Sequence, residues 1–416
     1  MFSKNYKLTK CQLKALEILN GEENVFLTGA AGTGKSFLIH KFLESKDRDD
    51  FPIVASTGAA AIIVGGRTFH SFFGLGIMEG GYEETILRAL RNRKLKTRLN
   101  KIEGVIIDEI SMLSAETIRA AEEVSRAIRN SSEPWGGIRV IAVGDFAQLP
   151  PVTHFGEKRD WAFLDPIWEV SSFVPVMLKT TVRTLDSEFI EILNYIRNGI
   201  VNERVKQFLD SKLVTSVKDD DITKLYAHRN TVEHTNLEQL IKLPGKVRAF
   251  ETRYEAKSEI YLKAIKKNAP IPERIQVKKG AFVMLRRNDF DGKYVNGSLG
   301  YIHEIGEDYL KIMLDNGSII KIKETDFTLL DADGKPVAQA FNFPITLAYA
   351  ATIHKAQGMT LDRAVIDLRK LWEPGQAYVA LSRLSSSEGL SLIGWNPQSI
   401  KTSQVVNDFY NSFEAL

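Results

Sequence analysis

Gly29-Ala30-Ala31-Gly32-Thr33-Gly34-Lys35-Ser36 follows the spacing G-x-x-x-x-G-K-[ST]. It stands between an apolar run, Val25-Phe26-Leu27, and a helix-like one that opens at Ser36-Phe37-Leu38-Ile39. A buried strand, a glycine loop and a helix N-terminus in that order make an anion site. Gly29, Gly32 and Gly34 let the backbone curl until its N–H groups face phosphate, and the helix dipole adds to the attraction. Lys35 then reaches the β- and γ-phosphates of a nucleoside triphosphate and Ser36 a magnesium ion. A merely flexible glycine loop would need neither the lysine nor the hydroxyl at these positions.

Working outward, short β-branched runs alternate with longer helix-like stretches through the first 180 residues: Val25–Leu27, Ile53–Ala55, Val105–Ile107 and Arg139–Val143, separated by segments such as Ala115–Arg129. This is the pattern of a parallel sheet with helices on both faces. An insertion at residues 72–100 carries Arg88, Arg91, Arg93, Lys94, Lys96 and Arg98, with no acid between Thr85 and Ile102. Such a run reads either as a solvated helix face or as a surface turned to nucleic acid. Over residues 275–332 the texture changes to short strands punctuated by Asp291-Gly292, Asn296-Gly297 and Asp315-Asn316-Gly317. Leu310–Leu314 and Ser318–Ile322 form a hairpin pattern, and their neighbours suggest a small antiparallel barrel. The α/β texture is present at Leu225–Ala227 and returns at Ala364–Leu368, which predicts a second α/β domain split by the β-module and a nucleotide held between two lobes.

The bulk properties narrow the class. A chain of 416 residues is too long for one core and suggests about two to four domains. With 55 Lys+Arg against 52 Asp+Glu the net charge is only +3, so any nucleic-acid surface must be local. The single cysteine, Cys11, excludes an internal disulfide framework and Cys-based zinc fingers and points to a reducing cytosol. No apolar run approaches membrane-spanning length, and Met1 to Lys7 lacks the apolar stretch of a secretory signal. The expectation is a cytoplasmic protein of bacterial or phage type with no membrane partner.

Val105-Ile106-Ile107-Asp108-Glu109 is an apolar strand ending in two carboxylates. Asp108 suits magnesium, held through water or Ser36, and Glu109 suits polarisation of an attacking water. The pair argues against a small-molecule kinase, where a carboxylate poised for water would be a hazard. In Val143-Gly144-Asp145-Phe146-Ala147-Gln148-Leu149-Pro150-Pro151, the Gln148 amide is placed to touch a γ-phosphate. Gln12 precedes an amphipathic helix by only a few residues, where an amide is placed to read an adenine edge.

Together with Ser56-Thr57-Gly58-Ala59-Ala60-Ala61 and Ala380-Leu381-Ser382-Arg383, these motifs resemble the ordered set of superfamily 1 DNA helicases, closest to the Pif type within the 5′-to-3′ Pif/RecD-like branch. Phage Dda helicases are close relatives. The Pif type is favoured by Gly65-Gly66-Arg67-Thr68-Phe69-His70-Ser71-Phe72, by Glu109-Ile110-Ser111-Met112-Leu113 with Ile128-Arg129 and Gly136-Gly137, and by Ile353-His354-Lys355-Ala356-Gln357-Gly358-Met359-Thr360. The resemblance covers almost the whole chain.

It implies an α/β fold of two RecA-like lobes: residues 1–71 and 101–180 in the first, with a small wedge-type insertion at 72–100, and residues 181–240 and 341–416 in the second, with an SH3-like β-barrel inserted at 241–340. It implies ATP and Mg2+ as cofactors. The ATP site would comprise Gln12, Gly29, Gly32, Gly34, Lys35, Ser36, Asp108, Glu109, Gln148, Arg183, Gly358 and Arg383. The two arginines would neutralise charge on the γ-phosphate when the lobes close. At Arg183 the family usually has an aromatic before and a glutamine after, whereas this chain has Val182-Arg183-Thr184.

By the resemblance the DNA strand would lie on Thr57, His70, Ser71, Phe72, His354, Lys355 and Thr360. The charged, turn-rich edges of the β-module, Arg286-Arg287-Asn288 and Lys293-Tyr294-Val295-Asn296-Gly297, read equally as part of its path, with Asn296 as a contact, or as a structural cover. His70 has a lesser alternative as a satisfied core histidine, and Phe72 or Phe73 reads equally as core. Further implications are single-stranded and forked or structured DNA as partner, 5′-to-3′ movement, unwinding that extends to G-quadruplexes and RNA–DNA hybrids, and roles in repair, recombination and telomere maintenance. A largely monomeric motor core is expected. The rivals are a DNA-stimulated translocase that strips proteins without unwinding and a non-enzymatic DNA-binding module.

Overall fold

The computed structural model describes residues 8–47, 49–64, 67–76, 78, 81–151, 158–215, 221–289, 292–331 and 335–414. Gly65, Gly66 and Asp291, singled out above, lie outside the described residues. The chain forms two compact units. The first takes its described residues from Phe2–Val182, Leu329–Val337 and Gln404–Leu416, and the second from Arg183–Thr328 and Ala338–Ser403.

The first unit is built on a six-stranded sheet in the order Arg67–Thr68, Ile53–Ala55, Gly104–Asp108, Arg139–Val143, Val25–Gly29, Val174–Leu178. Every neighbouring pair is parallel. The central strands are buried on both faces, as a parallel sheet covered by helices requires. One face packs on Leu19, Leu38 and Phe42. The other packs on a large aromatic core that includes Phe26, Trp135, Phe146 and Trp161.

The basic insertion is a pair of helices, Tyr82–Arg91 and Arg93–Lys101, with Asn92 capping the second through Lys94 N and Leu95 N. Two of its arginines follow neither reading of the sequence, being engaged with carbonyls of the protein itself. Arg98 turns inward, donating to the Phe72 carbonyl at 2.6 and 3.1 Å, and Arg88 donates to the Leu75 carbonyl at 3.0 Å. Arg91, Arg93, Lys94 and Lys96 remain exposed. Arg129, at the end of helix Ala115–Arg129, ties the insertion to the Gly136 turn by donating to the carbonyls of Leu99, Ile102 and Gly136.

The second unit holds a four-stranded parallel sheet, in the order Ala350–Thr352, Thr223–Tyr226, Ala364–Leu368, Leu390–Trp395. Between its first two strands in sequence runs the β-module. This is a five-stranded antiparallel sheet of Ile319–Ile322, Leu310–Leu314, Leu299–Ile305, Phe282–Leu285 and Ile345–Leu347 around its own apolar core. The 310–322 hairpin turns at Gly317, whose φ of +80° only glycine adopts without strain.

Several boundaries differ from expectation: strand Ile345–Leu347 belongs to the β-module sheet, and the described residues of Leu329–Val337 group with the first unit. Residues 404–414 do not continue the second lobe but form a helix, Gln404–Glu414, in the first unit. Its spacing places Val406, Phe409, Tyr410 and Phe413 on one face, and that face has the aromatic core of the first sheet to bury against. Phe409 stacks on Phe163 with ring centroids 4.2 Å apart and meets Phe146 and Trp168 at 5.6 and 5.8 Å. Phe409→Ala is expected to cost about 3 kcal/mol through the cavity it leaves. Tryptophan fluorescence during urea unfolding should report this as an earlier transition, and an unchanged midpoint would refute the packing role.

Candidate active site and nucleic-acid interface

Parallel registers decide where the charged residues stand. Leu27 pairs with Val143, and Ile107 with Ala142, so Gly29, Asp108 and Gly144 emerge together at the carboxyl edge of three adjacent strands. In open α/β sheets this edge is where ligands bind.

At the first strand end, Gly29 has φ +142°, and a Cβ there would lie 2.5 Å from the Leu178 carbonyl oxygen. Gly34 has φ +88°, and a Cβ would lie 2.6 Å from Gln12 Nε2. The loop therefore needs glycine at both positions for space as well as for conformation. Gly32, at φ +80°, gives its carbonyl to Val182 N at 2.8 Å. Lys35 begins helix Lys35–Leu43 and folds its ammonium back over the loop, donating to the carbonyls of Gly29 at 2.7 Å and Ala30 at 3.2 Å. Ser36 is exposed in the first turn.

Gln12 is fully buried against the loop. Its Nε2 donates to the Thr33 carbonyl at 3.0 Å, and its Oε1 accepts from Thr9 N at 3.0 Å within a capping box. The residue expected to read adenine braces the phosphate loop in this structure.

At the second strand end, burial pushes the Asp108 carboxyl up, against the stabilising Glu109 N–H and Lys35 charge. A desolvated carboxylate is one that a nearby cation favours strongly. Glu109 sits at φ +53°, ψ +47°, in the left-handed region that a non-glycine residue enters at a cost of roughly 1–3 kcal/mol, a strain that collects at functional sites. Its N–H donates to Asp108 Oδ1 at 3.0 Å. The next strand ends at Gly144, where a Cβ would lie 2.9 Å from Ile110 Cγ2, so the two strand ends can approach. Gln148 follows, buried, with its N–H on the Asp145 carbonyl at 2.9 Å.

Ser36 and Asp108 supply hard oxygen donors, the ligand class magnesium prefers. Among the described residues no group of three or more His, Cys, Asp or Glu could hold a metal ion. A two-oxygen protein contribution completed by water and phosphate fits Mg2+, whose coordination usually keeps such partners.

On the same edge, Thr57 caps helix Gly58–Val64 by accepting from Ala60 N at 3.2 Å, and Thr68 caps Phe69–Phe72 by accepting from Ser71 N at 3.2 Å. His70 and Ser71 stay partly exposed, and burial lowers the His70 imidazole below its usual range, keeping it neutral near pH 7. Phe72 is a correction. It is fully buried, with Phe73 at 5.0 Å and the Arg98 guanidinium 5.2 Å from its ring, so it is a core residue and offers no face to a base.

In the second unit, Arg183 and Arg383 meet at Ser382. Arg183 donates to the Ser382 carbonyl at 2.5 Å, while Arg383, itself buried, donates to Ser382 Oγ and the Val379 carbonyl, both at 2.8 Å. Thr352 caps helix Ile353–Ala356 through Lys355 N, leaving His354, Lys355, Gly358 and Thr360 exposed beside it. Gly358 has φ +79° and open space around its Cα. Desolvation, then the charges of Arg286 and Arg229, hold the Lys355 ammonium below its usual range even though the residue keeps exposed surface.

The β-module reaches the same place. Gly297 lies against Met359, to which a Cβ would approach within 3.5 Å. Asn296 Oδ1 is buried without a hydrogen-bond partner among the described residues, and its N–H donates to Asn288 Oδ1 at 2.8 Å. An unpaired acceptor needs a donor, which a base edge offers and a phosphate does not. Arg286 is the second correction. It is not an exposed edge but 6% exposed, donating among the described residues to the Pro270 carbonyl and to the sulfurs of Met284 and Met359, and burial lowers it to about 10. The Arg-Arg-Asn string carried no signal that its first member points inward.

A family model described as PIF1-like helicase matches residues 7–207. The ATP-dependent DNA helicase Pif1 of Bdellovibrio bacteriovorus is 49% identical over 410 residues, covering 99% of this chain and 93% of that protein. The ATP-dependent DNA helicase PIF1 of Danio rerio is 37% identical over 97% of this chain, which spans 64% of that relative's length. Among solved structures, Bacteroides sp Pif1 in complex with ADP-AlF4 aligns with a TM-score of 0.85 at 29% identity, covering 99% of this chain and 98% of that one. Pif1 helicase from Bacteroides in complex with ADP-AlF3 and ssDNA aligns with a TM-score of 0.69 at the same identity and coverage. Identity of this degree along nearly the full length, on a fold with the phosphate loop, the two carboxylates and Gln148 at one sheet edge, decides the assignment: the chain belongs to the PIF1-like helicase family.

Proposed function

We propose that the chain, an ATP-hydrolysing DNA helicase by its family, moves 5′ to 3′ along single-stranded DNA and unwinds forked or structured duplexes ahead of it, G-quadruplexes and RNA–DNA hybrids included. The observation that carries the reading is the convergence of Lys35, Asp108, Glu109 and Gln148 on the ends of three adjacent parallel strands. In it, Lys35 and a magnesium ion held by Ser36 and Asp108 offset charge on the transferring phosphoryl group, and Glu109 orients the attacking water. Arg183 and Arg383, brought together at Ser382, supply guanidinium charge from the second unit as the lobes close. Closure and reopening would shift two sets of strand contacts past each other. One set is Thr57, His70 and Ser71. The other is Asn296, His354, Lys355 and Thr360. The single-stranded DNA named for the Bacteroides complex supports the same ligand here. Work with DNA in the cytoplasm, in repair, recombination and the upkeep of chromosome ends, follows from this reading.

Lys35→Ala should nearly abolish DNA-stimulated ATP turnover, and Glu109→Gln should bind ATP yet hydrolyse it slowly. Near-normal turnover in both would refute the site. Arg383→Ala should slow hydrolysis by roughly 10³-fold or more with little change in ATP affinity. A loss seen instead as weaker DNA binding at normal saturating turnover would remove the finger role. In strand displacement, a duplex with a 5′ single-stranded tail should open while its 3′-tailed counterpart stays largely intact, and the reverse preference would overturn the polarity.

A further inference from the structure

One buried hydroxyl is shared by the two loops that carry the phosphate-binding and γ-phosphate-facing residues, and it comes from the far end of the chain. Tyr410 Oη lies 2.9 Å from Thr28 Oγ1, 2.9 Å from Phe146 N and 3.1 Å from Asp145 Oδ1. Thr28 and Asp145 are fully buried and Tyr410 is 6% exposed, so solvent does not substitute for these bonds. A phenol has one proton to give and two lone pairs. The Phe146 N–H can only donate to it and the Asp145 carboxylate can only accept from it, so among these contacts the Thr28 hydroxyl must donate as well.

Each arm leads to a residue of the ATP site. Thr28 precedes Gly29, whose carbonyl holds the Lys35 ammonium at 2.7 Å. Asp145 accepts from Ala147 N at 3.1 Å through the same Oδ1, and its carbonyl accepts from Gln148 N at 2.9 Å. Moving or losing the hydroxyl therefore releases the turn that aims Gln148 and the strand end that opens the phosphate loop. The ring itself is fixed by the aromatic face of helix Gln404–Glu414 on the core of the sheet.

We propose that Tyr410 is a positioning residue for ATP hydrolysis, setting the Gly144–Gln148 turn against the phosphate loop, and that helix Gln404–Glu414 is thereby a working part of the ATPase unit. The proposal rests on the reading of Gln148 given above.

Tyr410→Phe in the full chain keeps the ring and deletes the hydroxyl. DNA-stimulated kcat should fall roughly ten- to a hundredfold, the scale of a small misplacement of reacting groups, while affinity for a fluorescent ADP analogue stays within about twofold. Introduced into Gln148→Ala, the same change should cost little more, because both act on one geometry. A wild-type kcat in Tyr410→Phe, or a loss in the double variant that simply multiplies the two single losses, overturns the proposal. Should Tyr410→Phe fail to fold, Thr28→Val, which keeps the shape and removes one arm, carries the test: a lowered kcat at unchanged nucleotide affinity supports the role, and a normal kcat refutes it. Normal turnover in Gln148→Ala would refute the role of Gln148 itself, whereas an impaired Gln148→Ala beside a normal Tyr410→Phe refutes only the present inference.

Discussion

The parallel register of Gly104–Asp108, Arg139–Val143 and Val25–Gly29 is the constraint from which the site follows. Parallel strands end on the same side, and their chemistry-bearing successors are delivered to one edge without further search. Because the Arg139–Val143 strand lies between the other two, the Gly144–Gln148 turn stands between the phosphate loop and the paired carboxylates. The sheet can hold this order only because both its faces are covered, one by the aliphatic cluster around Leu38 and Phe42 and the other by the aromatic cluster around Phe26, Phe146 and Trp161.

The glycines and the buried polar groups at that edge divide the work of holding it. Gly29, Gly34 and Gly144 are small where backbone or side chain must pass closely: the Leu178 carbonyl, the Gln12 amide and Ile110 respectively. Gln12, Thr28, Asp145 and Gln148 are polar and buried, each bonded to the backbone or to another buried group. An unpaired polar group costs most in such surroundings, so these networks fix geometry more tightly than apolar packing would. The strained Glu109 backbone sits inside this frame, and the frame is what holds it there.

The second unit uses related devices. Thr352 caps the short helix that bears His354 and Lys355, much as Thr57 and Thr68 cap the helices beside His70 in the first unit. The β-module does not sit apart from this surface, since Gly297 and the buried Arg286 both touch Met359. A buried guanidinium bonded to a carbonyl and two sulfurs, with no carboxylate against it among the described residues, keeps a positive potential near Lys355, which accounts for part of that lysine's lowered affinity for its proton.

What the sequence determined by itself is whatever rests on neighbours in the chain. The phosphate loop, the Asp108-Glu109 strand end, the hairpin at Asp315-Asn316-Gly317 and the alternation of strands and helices all depend on local spacing, and local spacing is visible in a string. What only the tertiary structure decided is which partner each residue meets. Phe72 in the core and Arg286 turned inward look no different in sequence from exposed residues, because hydrophobicity and charge do not say which face a neighbour will cover. Arg88 and Arg98 in the basic run are spent on carbonyls that a charge count cannot see. The aromatic spacing of Phe409, Tyr410 and Phe413 could have marked an amphipathic helix, but not its destination. Thr28 and Tyr410 are 382 positions apart, and their bond exists only because the last helix buries its face on the first sheet.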